Sequence, residues 1–255
     1  MKSKTLILLI TGMTTSAILQ GQITVFTESF DYATGNDAFL SESSWEADTS
    51  APVGGVVTGA FSTAGLHPLG STDKAVQVFG GDSITTSIGT TASFDSTYYF
   101  SYLLDTNSAE TSLLQFRSSN NRRMEVGLEG NSFGVGVNTG TFGVNGTSPV
   151  ANGQEYFVVG AVRVADDGAG ANQDSFSIAA SIFTSGAAAQ AWASGVNTTT
   201  ITASDWDFSE LNADFPSLGN AAYAFDSITL TSNSRIAIYD EIQIGTELEA
   251  VVAPG

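Results

Sequence analysis

Short runs of β-forming residues separated by turn residues recur along the whole chain, and they constrain its fold more than any other feature. Long stretches of helical periodicity are absent. The clearest runs lie at 23–30, 75–79, 97–105, 112–117, 123–128, 132–138, 155–165, 175–184, 223–231 and 235–244. About ten strands are enough for two packed sheets, so the pattern predicts an all-β sandwich.

Alternation within the runs predicts which strand faces are buried. In 175–183, Phe176, Ile178 and Ala180 share one face and small or polar residues share the other, which predicts one buried and one solvated side. Residues 156–164 are apolar on both faces, which predicts a central strand. The segment between these two runs, 166–172, is typical of a flexible hairpin loop.

Two other stretches look irregular. Residues 31–71 are rich in small residues, and we expect a long loop there with room for one short strand. Residues 186–195 contain a run of alanines, which favours a short helix by intrinsic propensity.

The first residues are typical of a secretory signal peptide. Lys2 and Lys4 precede a mostly apolar run at 6–18, which is shorter than the roughly 20 residues of a membrane span. The alternative is a buried first strand or helix. We predict a signal peptide at 1–22, one domain at 23–250 and a tail at 251–255. The mature protein would then be secreted, to the extracellular space or cell surface, with no membrane span after cleavage.

Charge and composition argue against several partners and chemistries. The formal charge is −18, and removal of Lys2 and Lys4 gives −18 − 2 = −20. Such a surface disfavours nucleic acid and anionic membranes. The acidity favours solubility outside the cell, with calcium binding as the open alternative. There is no cysteine, and the single histidine, His67, lies beside a proline in a sequence typical of a loop. Disulfides, cysteine nucleophiles and multi-histidine zinc sites are therefore excluded.

One carboxylate cluster has the spacing of a hydrolase signature. The segment 205–210 reads D-W-D-F-S-E and resembles the E-x-D-x-x-E pattern of retaining β-glucanases. A retaining site needs two carboxyl groups about 5–5.5 Å apart. Asp205 has a shorter side chain than the glutamate of the pattern, and residues 211–216 read as a loop. Catalysis by Asp207 and Glu210 is therefore the alternative hypothesis.

Other polar and aromatic residues favour structural interpretations. Asp240 interrupts the stripe Ile236, Ile238, Ile242 and Ile244, and we expect it to accept backbone N–H bonds from a neighbouring segment; calcium ligation is the alternative. The aspartates of the hairpin loop, Asp166, Asp167 and Asp174, do not match EF-hand spacing and favour a solvated acidic turn. The tryptophans at 45, 192 and 206 could stack on sugars, but core or rim packing is the commoner use. Arg122 and Arg123 alone make too small a basic patch to argue from.

Four segments in order resemble a known group of proteins. They are ESFDY at 28–32, YYFSYLL at 98–104, EYFVVG at 155–160 and YDEIQIGT at 239–246. Together they resemble exported bacterial proteins with a concanavalin A-like (LamG-like) jelly-roll domain, many of which carry a PEP-CTERM sorting tail. The resemblance implies two antiparallel sheets of the concanavalin A-like lectin/glucanase type. The sorting tail is absent from this sequence, so simple secretion is as well supported as exosortase-type anchoring.

These observations predict a non-catalytic interaction module. We expect it to be glycan-binding, with a polysaccharide or cell-surface glycan as partner, or structural, at the cell surface or in the extracellular matrix. The alternatives are a glycoside hydrolase of the same fold and a purely structural matrix protein. No catalytic residue, no cofactor and no metal ligand is assigned from the sequence, and calcium stays a possibility.

Overall fold

The fold is built almost wholly from antiparallel strands. The computed structural model describes residues 24–34, 36–47, 54–59, 61, 65–66, 74–105, 111–118, 121–130, 132–137, 148–151, 153–166, 174–214, 224–232 and 236–252. Within these residues the strands are β1 (Thr24–Glu28), β2 (Glu46–Ala47), β3 (Gly54–Thr58), β4 (Lys74–Val78), β5 (Ser83–Ser87), β6 (Thr97–Asp105), β7 (Thr111–Ser118), β8 (Asn121–Glu129), β9 (Ser132–Val137), β10 (Ser148–Pro149), β11 (Glu155–Ala165), β12 (Ser175–Phe183), β13 (Phe208–Asp214), β14 (Ser227–Ser232) and β15 (Ala237–Gly245). The helices are α1 (Asn36–Glu42), α2 (Gly186–Ala193) and α3 (Leu248–Val252), with one 3₁₀ turn at Ala203–Asp205.

The strands form two sheets. Sheet A has the order β13-β12-β11-β6-β15-β4-β3, and β1 also pairs with β15. Sheet B has the order β10-β9-β8-β7-β14-β5-β2. Neighbours in space are often distant in sequence, as where β6 lies between β11 and β15. The predicted two-sheet antiparallel jelly-roll sandwich is confirmed.

The main core lies between the two sheets. It is apolar on alternate residues of each strand, because neighbouring side chains of a strand point to opposite faces. Aromatic rings fill its middle, and the Phe100 and Phe116 centroids are 5.0 Å apart. A second cluster lies on the outer face of sheet A, where α2, α3 and the 3₁₀ segment cover Tyr99, Phe157 and Val159.

The structure confirms the prediction for one of the two strands discussed above and overturns the prediction for the other. The central position of 155–165 is confirmed, since β11 lies between β6 and β12. The solvated side predicted for 175–183 is wrong, because Ala179 and Ser181 are buried on the outer face of sheet A. Small residues there leave room for the covering segments rather than for water.

The predicted elements and the observed ones differ in the first third of the chain and near residue 210. The segment 31–71 contains α1, β2 and β3 within its described parts, where a long loop with room for one short strand was expected. Residues 208–214 form strand β13, although 211–216 read as a loop. The helix predicted at 186–195 is confirmed as α2. The division of the chain at residues 22 and 250 stays a prediction. Residues 1–22 lie outside the described residues.

Candidate functional site

The three helices pack against sheet A. Helix α1 contacts β3, α2 contacts β11 and β12, and α3 contacts β6 and β15. Among the described helices, none makes comparable contacts with sheet B, whose outer face carries a set of polar side chains.

Polar side chains reach that face by strand alternation. Leu114 and Phe116 of β7 point into the main core, so Gln115 lies on the outer face. The same reasoning places Glu125 of β8 outside, between the core residues Met124 and Val126. On β14 the core residues are Ile228 and Leu230, which places Thr229 on the outer face.

Strand register aligns these side chains in one row across five strands. Glu46 of β2 lies opposite Thr85 of β5, and Thr85 lies opposite Thr229 of β14. Thr229 lies opposite Gln115, and Gln115 lies opposite Glu125. We call Glu46, Thr85, Thr229, Gln115 and Glu125 the first polar row. With strands about 4.8 Å apart, its four gaps span about 19 Å.

Hydrogen bonds hold this row together. The Thr85 and Thr229 hydroxyl oxygens are 2.7 Å apart, and Gln115 Nε2 donates to Glu125 Oε1 at 3.0 Å. Thr229, Gln115 and Glu125 are buried, with exposed fractions of 1%, 2% and 0%. They therefore fix neighbouring groups, while the half-buried Thr85 and the exposed Glu46 are open to solvent.

A second polar row runs beside the first. Ser87 of β5 lies opposite Ser227 of β14, Ser227 opposite Arg117 of β7, and Arg117 opposite Arg122 of β8. Ser87 is exposed, and Ser227 and Arg117 are half-buried. Arg117 Nη1 donates to Thr229 Oγ1 at 3.1 Å, which joins the two rows.

The accessible members of the two rows, which are suited to hydroxylated ligands, are Glu46, Thr85, Ser87, Ser227 and Arg117. Threonine and serine hydroxyls both donate and accept, and guanidinium groups donate in a fixed planar fork. The sequence analysis missed these residues. The alternation of Gln115 and Arg117 with core residues is a visible signal for an outward position, but their alignment with Thr85 and Thr229 depends on register between strands far apart in sequence.

The carboxylates of the hydrolase-like segment do not converge. Phe208 and Glu210 lie opposite Ala180 and Ile178, which belong to the main core, so Glu210 points between the sheets. Its Oε2 accepts the Val137 N–H at 3.0 Å. Asp207 precedes the first residue of β13, is exposed, and accepts the Ile182 N–H at 3.3 Å. Asp205 lies in the 3₁₀ turn. A glutamate bonded to Val137 between the sheets and an exposed aspartate bonded to Ile182 do not form the paired carboxyl groups of a retaining site.

Asp240 lies in a β-bulge of β15, which overturns the single isoleucine stripe. Between Asp240 and Gln243, β15 advances three residues while β6 advances two, from Leu103 to Ser101. Glu241 lies within this bulge, and its backbone is in the left-handed region, with φ at 49°. Ile242 and Ile244 consequently point into the main core, whereas Ile236 is exposed.

The Asp240 carboxylate is fully buried. Its Oδ1 accepts the N–H of Glu241 at 2.8 Å, so the expected backbone bond comes from the next residue of its own strand. Its Oδ2 has no hydrogen-bond partner. Burial, followed by the nearby charge of Glu241 and then of Glu28, raises the Asp240 pKa to about 8.

Glu28 is a buried carboxylate of a different kind. Its Oε1 accepts the Phe30 N–H at 2.8 Å, and its Oε2 accepts the Tyr32 hydroxyl at 2.9 Å and Trp45 Nε1 at 3.0 Å. This network ties the segment 28–32 to the core and gives Trp45 a packing role. Trp192 and Trp206 pack edge to face at 4.9 Å on the outer side of sheet A. Core packing of the tryptophans is thus confirmed.

The described residues contain no cluster of candidate metal ligands. No group of three or more His, Cys, Asp or Glu side chains there could hold a metal ion. Asp167 and His67 lie outside the described residues. Calcium binding stays a prediction. None of the helices in the described part of the chain is long and apolar enough to cross a bilayer.

Comparisons with known proteins give distant structural likenesses. No family model and no curated protein matches the chain. Domain 4 of AbnA, a GH43 extracellular arabinanase from Geobacillus stearothermophilus, is 14% identical at a TM-score of 0.48, with 89% of this chain and 93% of that chain covered. The PL-14 alginate lyase from Aplysia kurodai is 9% identical at a TM-score of 0.48, covering 87% and 98%. Alginate lyase Aly36B, as a mutant with alginate trisaccharide, is 8% identical at 0.46, covering 86% and 96%. At these values no residue role is transferred to this chain.

Proposed function

We propose that this chain is an exported, non-catalytic module that binds polysaccharide on the outer face of sheet B. The observation that carries the proposal is the pair of polar rows, aligned in register across five and four strands and joined by the bond from Arg117 to Thr229. Their accessible members are Glu46, Thr85, Ser87, Ser227 and Arg117. A linear glycan presents repeated hydroxyl groups, and a straight row of donors and acceptors on a rigid sheet matches that repetition.

Binding should depend on hydroxyl groups of this face. We expect Thr85→Val to weaken binding to the glycan identified on a glycan array by about fivefold, because one hydrogen bond contributes about 1 kcal/mol. The measurement is affinity electrophoresis or titration calorimetry with that glycan. Thr27→Val is the matched control, since Thr27 is an exposed strand threonine on sheet A.

Two outcomes would contradict this proposal. Equal weakening by Thr27→Val and Thr85→Val would remove the site from sheet B. Absence of binding to every arrayed glycan by the folded protein would favour a purely structural role in a matrix or surface layer.

Hydrolysis should be absent. Because Glu210 points between the sheets while Asp207 is exposed ahead of β13, we expect no release of reducing ends from β-glucans, agar, carrageenan or alginate. Asp207→Asn and Glu210→Gln should change thermal stability only slightly. A reducing-sugar assay checks this, and hydrolysis that either substitution abolishes in a folded protein would establish the enzyme alternative.

A further inference from the structure

The hydrogen-bond partners of Thr229 determine which way its hydroxyl hydrogen points. The Thr229 side chain is buried, with an exposed fraction of 1%. Its Oγ1 lies 3.1 Å from Arg117 Nη1 and 2.7 Å from Thr85 Oγ1. A guanidinium nitrogen can only donate, so Thr229 Oγ1 accepts the bond from Arg117. Within the described residues, Thr85 Oγ1 is then the acceptor for the hydrogen of Thr229.

The opposite direction of the bond between the two threonines is unfavourable. If Thr85 donated to Thr229, the hydrogen of Thr229 would be buried without an acceptor, which costs free energy. Arg117 therefore donates to Thr229, and Thr229 donates to Thr85; we call these three residues the hydroxyl relay. Thr85 is half-buried, so its own hydrogen can point to the surface. Successive hydrogen bonds polarise one another, which makes the Thr85 hydroxyl a better donor.

The other accessible oxygen atoms of the two rows are acceptors. Ser87 Oγ donates to the carbonyl oxygen of Asp226 at 3.4 Å, and Ser227 Oγ donates to Asp226 Oδ1 at 3.0 Å. The hydrogens of both serines are thus used within the protein, and their lone pairs can accept from a ligand. Glu46 is an exposed carboxylate and can only accept. Thr85 is therefore a donor placed among three acceptors.

Glu46 and Thr85 are close enough to bind one sugar ring together. They lie directly opposite each other on β2 and β5, where paired side chains share a face with Cβ atoms about 4.5–5.5 Å apart. One sugar hydroxyl can donate to Glu46 while the hydroxyl beside it accepts from Thr85. A glycosidic oxygen carries no hydrogen and is flanked by two rings, so a linkage at either position disfavours this arrangement.

Building on the proposed function, we infer that the site recognises a polysaccharide whose sugars carry two adjacent unsubstituted hydroxyls, and that Thr229 is the positioning residue for this recognition. Glu46 and Thr85 contact the two hydroxyls. Thr229 is buried and acts on the ligand through Thr85, because it fixes the direction of the Thr85 hydroxyl hydrogen.

The ligand test compares linkages that keep or remove the adjacent hydroxyls. The probes are a soluble β-1,4-glucomannan and a soluble β-1,4-xylan, whose internal sugars keep hydroxyls at positions 2 and 3, and a soluble β-1,3-glucan, whose internal sugars have no adjacent pair. We expect the better-bound β-1,4-linked polymer to bind about tenfold more tightly than the β-1,3-glucan in affinity electrophoresis, because two hydrogen bonds are at stake.

The relay test uses the better-bound polymer. Thr229→Val should weaken binding about fivefold, as Thr85→Val does, although Thr229 is buried. The double variant Thr85→Val/Thr229→Val should bind no more weakly than Thr85→Val alone, because both changes break the same relay. Thr229→Ser keeps the hydroxyl and should restore native affinity. Thr231→Val is the control, since Thr231 is a buried threonine of the same strand outside the relay, and native affinity is expected.

Each other outcome has a distinct meaning. Equal binding of β-1,3- and β-1,4-linked polymers, or binding only to arrayed glycans without adjacent hydroxyls, would overturn the inference while leaving glycan binding intact. Native affinity in Thr229→Val, or a double variant in which the two losses add, would overturn the relay. Equal losses in Thr229→Ser and Thr231→Val would assign the effect to packing of β14 and overturn the positioning role. Failure to bind any glycan would refute the proposed function and the inference together.

Discussion

Replacing Asp240 with asparagine should stabilise the protein at pH 9 and have little effect near pH 4. The Asp240 carboxyl is buried beside Glu241 and Glu28, which raises its pKa to about 8 from an ordinary value of 3.8. Between these values the folded chain holds a proton that the unfolded chain releases. The free energy of unfolding therefore falls as pH rises from about 4 to about 8 and levels off above. Asparagine is neutral at every pH, so Asp240→Asn should not show this fall in the free energy of unfolding.

The expected gain in the free energy of unfolding from Asp240→Asn is several kcal/mol at alkaline pH, because one pKa unit corresponds to about 1.4 kcal/mol. Urea unfolding of both proteins at pH 5, 7 and 9 measures it. Asp207→Asn is the control, since Asp207 is exposed and should give a pH profile parallel to that of the native protein. Parallel profiles for native protein and Asp240→Asn would show that Asp240 is ionised in the folded state at neutral pH.

Gly160→Ala should destabilise the protein by about 3 kcal/mol or more. Gly160 lies in the centre of sheet A, opposite Phe100 on β6 and Ala180 on β12. A Cβ placed there would be 2.1 Å from Phe100 Cζ and 2.6 Å from the carbonyl oxygen of Ala179. Phe100 packs at 5.0 Å against Phe116, so its ring has little room to move away. The carbonyl belongs to the paired strand and is equally constrained.

For a chain of this size, such a loss lowers the melting temperature by roughly 6–12 °C. Differential scanning calorimetry measures it. Gly195→Ala is the matched control: its Cβ would meet only the Trp192 carbonyl oxygen, at an ordinary 3.6 Å, so we expect almost no change in melting temperature. A melting temperature of Gly160→Ala equal to that of the native protein would mean that Phe100 repacks freely and that the core is loosely filled.

Strand identity was largely predictable, because it depends on local alternation. The runs 97–105 and 155–165 match β6 and β11 at both ends, since each carries a long β-branched or aromatic pattern. Strands β2, β3, β5, β10 and β13 were not among the predicted runs. They are short or rich in Gly, Ser, Thr and Asn, and pairing with neighbours rather than their own propensity makes them strands.

The candidate site was less predictable than the fold. Thr85 and Thr229 are 144 residues apart and meet through their hydroxyl groups. Neither residue differs in its local sequence from many other threonines of the chain. Arg117 and Arg122 are paired in register only because of the bulge in the β7–β8 pair. A one-residue slip of a strand would move its outward side chains, such as Thr229, to the core face.

By itself, the sequence determined the all-β class and the exclusion of thiol and multi-histidine chemistry, and it predicts a signal peptide. These follow from composition and from contacts between near neighbours in the chain. Tertiary structure alone decided that helices cover sheet A, that a bulge buries Asp240 against two acidic neighbours, and that polar residues of five strands form rows on sheet B. Each of these depends on which strands pair and in what register, and pairing is set by the burial of the whole core rather than by any one segment.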